Sequence, residues 1–458
     1  MAGSNRGPRV VPRILAVGAL AATVVASGHY LSGAGVRPAA GAPGARPATG
    51  AWFCPHGGGA GWSGWVAVSN PGPSPATVRV TTFGTKRVLA RQVFDLGATR
   101  EAYRMVPATE PGSSTEVEFF GGWVAATAVI ESAGAHADVA AERCVPGLRS
   151  AWLLPDATTA IGETATLVVM NPFAADAEFD VILRTNVRRI APGDLSPVVL
   201  APGTSVALRV NAWALEAADE DTVTAQVVPR IGRVVAGSVV VSPKGVREEA
   251  GIPAPQTRWF VPAAGYAGAG LLPVLDRGPS NALVSVVAQG PTGQQLVSGL
   301  TSVEIPPDTA RTFDVSALPG SAAVIQATNG APIAAAFRIG GPRGGEATVV
   351  GVPKAAQAWI VPPALPPQGG VSTLVLQDPG RVDATVSVAL FGPDGPVPAA
   401  GFTSIPVPAG RTVLLTLPQA TVPVTAVVRA DRGSVVAGAS AFALAGTAYA
   451  ATSGVPLP

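Results

Sequence analysis

The sequence predicts an all-β protein made of four tandem β-sandwich repeats behind an N-terminal export segment. Three observations carry this prediction. A Trp followed three residues later by Pro recurs at Trp52/Pro55, Trp152/Pro155, Trp259/Pro262 and Trp359/Pro362, with the Trp positions 100, 107 and 100 residues apart. A fixed period kept along the chain marks one small domain copied in tandem. Runs rich in Val and Thr alternate apolar with polar residues, as Phe179, Val181 and Leu183 do within 177–185. Period 2 places such residues on one face of a strand, whereas a helix would scatter them. Asn-Pro, Pro-Gly and Asp-Arg-Gly turns cut these runs at about 8–12 residues, the spacing of short sandwich strands.

Residues 1–31 read as a signal peptide or membrane anchor: Arg6, Arg9 and Arg13 precede an uncharged run over 14–27 that continues to Leu31. The run is near the short end of the ~20 residues a spanning helix needs. Small residues at 24–26 and after Val36 offer a peptidase a site, so cleaved and uncleaved forms are both open. In either form the basic flank stays inside and the repeats lie outside. Residues 32–50 are rich in Gly, Ala and Pro and read as a disordered linker that spaces the repeats from the membrane.

The repeats are placed at 51–150, 151–257, 258–357 and 358–458. Each carries the same landmarks in order. An Asn-Pro or its relative follows the Trp (Asn70-Pro71, Asn171-Pro172, Asp276 with Pro279, Asp378-Pro379), and a strand opening on Ala follows at 76–84, 177–185, 282–290 and 384–392. An aliphatic-Pro pair closes each copy: Val145-Pro146, Ile252-Pro253, Val352-Pro353 and Val455-Pro456. Late runs at 223–228 and 234–242, and at 424–428 and 435–442, read as hairpins, and 210–218 is the one short helical turn. About seven strands in about 100 residues match the immunoglobulin-like antiparallel sandwich. The recurring Trp reads as a packing residue at the junction between repeats.

Composition narrows function by exclusion. The chain is 48 % hydrophobic and 13 % charged, well above the threshold for folding. A net charge of +2 over 458 residues leaves no basic stripe for nucleic acid and no polybasic membrane patch. Cys54 and Cys144 stand at the two ends of repeat 1, where the other repeats have Leu154, Val261 and Val361 at the front and Gly251, Gly351 and Gly454 at the back. If the first and last segments of a repeat are neighbouring strands, the two cysteines meet, and an exported chain pairs them. A cysteine metal site has only His56 nearby and lacks ligands.

The three His, His29, His56 and His136, recur in no other repeat, and no Gly-x-Ser-x-Gly elbow is present. The 57–61 glycine run lacks a Gly-Lys-Ser/Thr ending and precedes a strand, so it reads as a flexible loop. The acidic run at 219–221 lacks the EF-hand pattern and reads as a solvated loop. Glu131, Asp138 and Glu142 lie near His136, which leaves an acid–base role there as an alternative. Four of the eight Trp fall in repeat 1: Trp52, Trp62, Trp65 and Trp123. The last three, with Tyr103 and His56, are not explained by the repeat and are the candidate ligand-binding residues, because aromatic rings stack on sugar faces. The competing reading packs Trp65 and Trp123 into the core of repeat 1.

An export segment followed by Trp-x-x-Pro modules with Asn-Pro after the next strand resembles an uncharacterised actinobacterial envelope family, a domain of unknown function (number five-seven-one-nine). The similarity covers nearly all of 46–458. The resemblance implies an exported or membrane-anchored location, a setting in envelope glycan biology, and no catalytic residues to carry over. The expectation is a non-enzymatic, extracytoplasmic cell-envelope protein without cofactor or metal, secreted or held to the membrane by an uncleaved N-terminal segment. It is a short rod of four sandwiches that binds a cell-wall glycan or an envelope protein. The alternative is an accessory protein or enzyme of envelope polysaccharide assembly with a site in repeat 1.

Overall fold

In repeat 1 the chain alternates between two antiparallel sheets, and the computed structural model describes it and its sisters over residues 48–134, 137–147, 149–212, 222–263, 270–316, 322–418, 422–443 and 447–458. The strands are β1 (Thr49–Cys54), β2 (Ser63–Asn70), β3 (Ala76–Phe83), β4 (Val88–Leu96), β5 (Arg100–Val106), β6 (Ser114–Phe120), β7 (Ala125–Glu131), β8 (Val139–Arg143) and β9 (Val145–Pro146). One sheet runs β4-β3-β6-β1-β9 and the other β5-β2-β7-β8. Alternation does what period 2 requires: Val78 and Val80 of β3 are buried while Thr77 is exposed. Repeats 2, 3 and 4 repeat this pairing pattern, with the Ala-led strands at Ala177–Thr185, Ala282–Gly290 and Ala384–Gly392.

The turn after β2 shows why Asn and Asp interchange there. Asn70 Nδ2 donates to the carbonyls of Ser74, Leu96 and Gly97, and its Oδ1 accepts from the Gly72 amide at 2.9 Å. A carboxylate cannot donate, so Asp378 uses both oxygens as acceptors, from the amides of Gly380 at 2.7 Å and Ala384 at 3.0 Å. Either residue satisfies buried backbone groups that an apolar side chain would leave unpaired.

Four expectations are corrected. The late runs are not hairpins: Val223–Ile231 pairs with Trp152–Leu154 and Ala177–Thr185, while Val235–Ser242 pairs in the opposite sheet with Thr164–Asn171 and Gly245–Ala250. Thr425–Arg432 and Val436–Phe442 are split between sheets in the same way, because the connection crosses the core. β1 begins at Thr49, inside the segment read as linker, because it pairs with β6. Only Val210–Ala212 of the expected helical turn is described, as a 3-10 turn, and a second one occupies Gly193–Leu195. The recurring Trp is a core residue of its own repeat. The indole N–H of Trp52, Trp152, Trp259 and Trp359 donates to the carbonyls of Val124, Val234, Ile333 and Val435 at 2.7–2.8 Å. The expected segments at 1–31 and most of 32–50, His136 and the acidic run 219–221 lie outside the described residues.

The larger difference concerns arrangement. The four repeats do not extend as a rod; they close into a ring. The junction role belongs to the residue after each Trp and to the aliphatic residue before each closing Pro. Phe53 and Val145 pack into the core of repeat 2, Leu153 and Ile252 into repeat 3, Phe260 and Val352 into repeat 4, and Ile360 and Val455 into repeat 1. Each such side chain, fully buried, stabilises the joint by about 1.5–3 kcal/mol. Pro55 also reaches across: a Cβ on Gly237 of repeat 2 would lie 2.7 Å from its Cγ, so only glycine fits. At the centre, β8 and its counterparts Gly245–Ala250, Gly344–Val350 and Tyr449–Ser453 pack against one another in cyclic order.

Candidate functional site

The five aromatic and His candidates do not form one surface. Trp65 and His56 are buried, and Trp62, Tyr103 and Trp123 are half-buried. Trp62 packs on the apolar cluster between repeats 1 and 2, with Val168, Val239 and Val246. Tyr103 lies two residues along β5 from Glu101, which meets Thr425 of repeat 4 at 2.6 Å. Ring closure therefore puts Trp62 and Tyr103 on opposite flanks of repeat 1. Trp123 stands edge-on to Trp52, with centroids 5.9 Å apart. His56 Nδ1 donates to the Gly57 carbonyl at 2.8 Å and Nε2 accepts from the Thr115 hydroxyl at 2.9 Å. Burial pushes the imidazole down to about 4, so it is neutral at physiological pH.

The chemistry-bearing groups gather on the ring axis instead. Asp138 immediately precedes β8, and its sister positions are Gly245, Gly345 and Ala448. Asp138 Oδ1 accepts from the amides of Val139 at 2.8 Å and Tyr449 at 2.9 Å. The amides of Val246 and Glu346 also face the carboxyl group, although Oδ2 makes no hydrogen bond of normal geometry. Equivalent N–H groups from all four repeats thus surround one carboxyl group. A Cβ on Gly245 would overlap that carboxyl, so the axis has room for an acid from one repeat only. Burial raises Asp138 to about 7 against the pull of these amides.

Four residues further along, on the same face, Glu142 repeats the arrangement. Its Oε1 accepts from the Arg143 amide at 2.9 Å, and the amides of Ala250 and Val350 face it. Burial raises Glu142 to about 8, and burial together with the Glu142 charge pushes Glu248 well up. Neither carboxyl oxygen of Glu248 has a hydrogen-bond partner among the described residues. Glu249 accepts from the Asp156 amide at 3.1 Å, and its carboxyl is also held well above the usual range by burial and the nearby Asp156 charge. Glu142, Glu248 and Glu249, with Arg143, His56 and Cys54 of the Cys54–Cys144 disulfide, line a space with room for about one water molecule. The disulfide joins β1 to the segment entering β9, which are paired neighbours. In repeat 4 the same place is filled by Val361 against Gly454, where an added Cβ would lie 3.0 Å from the valine.

Between repeats 2 and 3 the acids are paired. Arg247, 1 % exposed, reaches Glu346 at 2.7 Å, Glu163 at 3.0 Å and Asp156 at 3.4 Å. Arg338 bonds Asp156 and lies 3.4 Å from Glu163, Lys244 pairs with Glu346 at 2.8 Å, and the Thr348 hydroxyl donates to Asp156 at 2.5 Å. Three cations therefore meet three carboxylates. Burial alone would raise Asp156, but Arg338 and Arg247 hold it below its usual value.

Sequence reasoning singled out Asp138 and Glu142 only as neighbours of His136, and missed Asp156, Glu163, Arg247, Glu248, Glu249, Arg338 and Glu346. A signal was present: three successive charged residues, Arg247, Glu248 and Glu249, which on the strand Gly245–Ala250 put charge on both of its faces. Both of those faces are buried, where a charge needs a partner. Chemically, the axis binds its own carboxyl groups. Among the described residues no three His, Cys, Asp or Glu side chains converge closely enough to hold a metal ion, and no helix is long and apolar enough to cross a membrane.

A family of unknown function (DUF5719) matches residues 4–95, 113–361 and 340–453. The chain belongs to this family. The comparison with curated proteins yields no match.

Proposed function

We propose that this family member is a non-enzymatic, exported cell-envelope protein whose four repeats form a rigid ring with a binding outer surface for a cell-wall glycan or an envelope protein. The observation that carries this reading is the Asp138 carboxyl group, faced by equivalent backbone amides of all four repeats. A buried acid with that surrounding holds repeats together, and the remaining acids of the axis share a space too small for a saccharide. The basic and apolar N-terminal pattern and the disulfide support export, since disulfides persist in oxidising compartments. The ring replaces the expected rod as the form in which the repeats are presented.

The test is co-sedimentation of the full chain, in mild detergent, with purified cell-wall glycan, alongside thiol labelling of the protein taken from cells without reduction. Saturable pelleting with both cysteines blocked as a disulfide is the expected result. A well-folded chain that stays in solution removes the glycan as partner, and free thiols in the cellular protein argue against export.

A further inference from the structure

We propose that β4, the outer edge strand of repeat 1, is a docking site for an acidic, extended segment of a partner polypeptide, which adds to the sheet as a further strand. This deepens the protein-binding arm of the reading above. β4 ends its sheet, and its outer side pairs with no described strand. It runs as a single strand over Val88–Leu96 with one bulge at Leu89, and 85–96 contains neither Gly nor Pro.

The same edge is interrupted in every sister repeat. Repeat 2 has Arg189–Ile190 and Val198–Leu200 with a cis Ser196-Pro197 bond between them. Repeat 3 has Gly293–Leu296 and Val303–Ile305, separated by Gly299 and Ser302 at positive φ. Repeat 4 has Gly395–Val397 and Ile405–Val407, each containing a Pro. Breaks and prolines are how sheets blunt an edge against strand addition. Repeat 1 alone keeps this edge as one strand, regular from Ala90 to Leu96 beyond a bulge at Leu89.

Its exposed side chains indicate the occupant. Val93 is 63 % exposed, Val88 is 39 % exposed, and Met105 on the adjacent edge strand β5 is 66 % exposed. Lys86, Arg87 and Arg91 are exposed beside them, and Arg104 stacks 3.8 Å over the Phe94 ring. The local acids are engaged: Asp95 accepts from the Thr77 hydroxyl at 2.7 Å, and Glu110 accepts from Thr85 at 3.0 Å. Arg91 and Val93 share one face of β4. An added strand with acidic residues on that face would therefore pair charge with Arg91 and turn its aliphatic residues to the other face, while backbone hydrogen bonds supply sequence-independent affinity.

The full chain in mild detergent is titrated with a labelled peptide of four Glu-Val pairs and with its Lys-Val counterpart. Anisotropy reads binding, and hydrogen exchange reads the 88–96 amides. The expected result is at least ~10-fold tighter binding of the acidic peptide, at least ~10-fold slower exchange in 88–96, and loss of both in an Arg91→Glu/Val93→Glu variant whose melting is unchanged. Equal binding of the two peptides, or unchanged exchange in 88–96, overturns the proposal. A wild-type dimer that the variant dissolves also overturns it, by making a second copy the occupant. Glycan pelleting is read separately, so failure at β4 leaves the envelope reading standing.

Discussion

Two joints of the ring are built from opposite materials. Between repeats 2 and 3, Lys244, Arg247 and Arg338 interlock with Asp156, Glu163 and Glu346. Between repeats 4 and 1, Val129, Val139 and Ala141 pack on Ala364, Leu365, Ala441 and Ala450. The polar contacts there include a short chain from Ser69 through Thr425 to Glu101, the Tyr449 amide on Asp138 and Arg100 on the Pro393 carbonyl. Apolar patches of similar shape do not tell one sister repeat from another. A charge pattern does, because any other partner leaves buried charges unpaired. The charged joint thus fits a role in fixing which repeats meet, and the apolar joints one in holding them.

The comparison breaks first at Arg247. Arg247→Ala removes the one cation shared by Asp156, Glu163 and Glu346 and leaves Glu346 to Lys244 and Glu163 to Arg338. It should lower the stability read by urea unfolding by about 3–5 kcal/mol; a loss below ~1 kcal/mol would show that the joint is solvated. Across the ring, Leu365→Ala removes apolar contact without stranding a charge and should cost about 2–5 kcal/mol, set by how far the site collapses. Replacing both Cys54 and Cys144 by Ala should cost about 2–4 kcal/mol. Both cysteines sit in the cluster shared with Ile360 and Val455 of repeat 4, so hydrogen exchange should quicken at the 4–1 joint before the 2–3 joint.

The smallest effect is pH, and it has opposite signs at the two joints. Asp156 is depressed, so its contribution is present above its unfolded value and is lost as pH falls through the lower folded one. Burial raises Glu101 to about 8 against its bonds to Thr425, so its contribution is present below the ordinary carboxyl value and is lost as pH rises towards 8. Exchange at the 2–3 joint should therefore quicken in acid and at the 4–1 joint in mild alkali. The same direction at both joints would contradict this assignment.

Much of the fold was legible because strand period, turn residues and a kept spacing are local properties. The Cys54–Cys144 contact was legible because repeat 1 departs from its sisters at two equivalent places. Ring closure was not read, yet part of its signature is present. Trp52-Phe53-Cys54, Trp152-Leu153-Leu154, Trp259-Phe260-Val261 and Trp359-Ile360-Val361 are unbroken apolar triplets where a half-buried strand would alternate. Such a run belongs to a strand buried on both faces, one in its own sandwich and one in the next. The triplets do not say that the fourth copy meets the first. The axis was illegible for a different reason: Asp138 acquires its surroundings from amides more than 100 residues away, and backbone groups carry no signature in sequence.

Ala48 and Leu457 pack against the same cluster of repeat 1. A ring whose described ends meet is indifferent to where its circuit is cut. Splicing those two ends with a short linker and opening the chain between the exposed Pro253 and Ala254 would reorder the repeats as 3-4-1-2 while keeping every joint. The order of synthesis is then a separate property from the order of neighbours, and a permuted gene can tell which of the two the fold depends on.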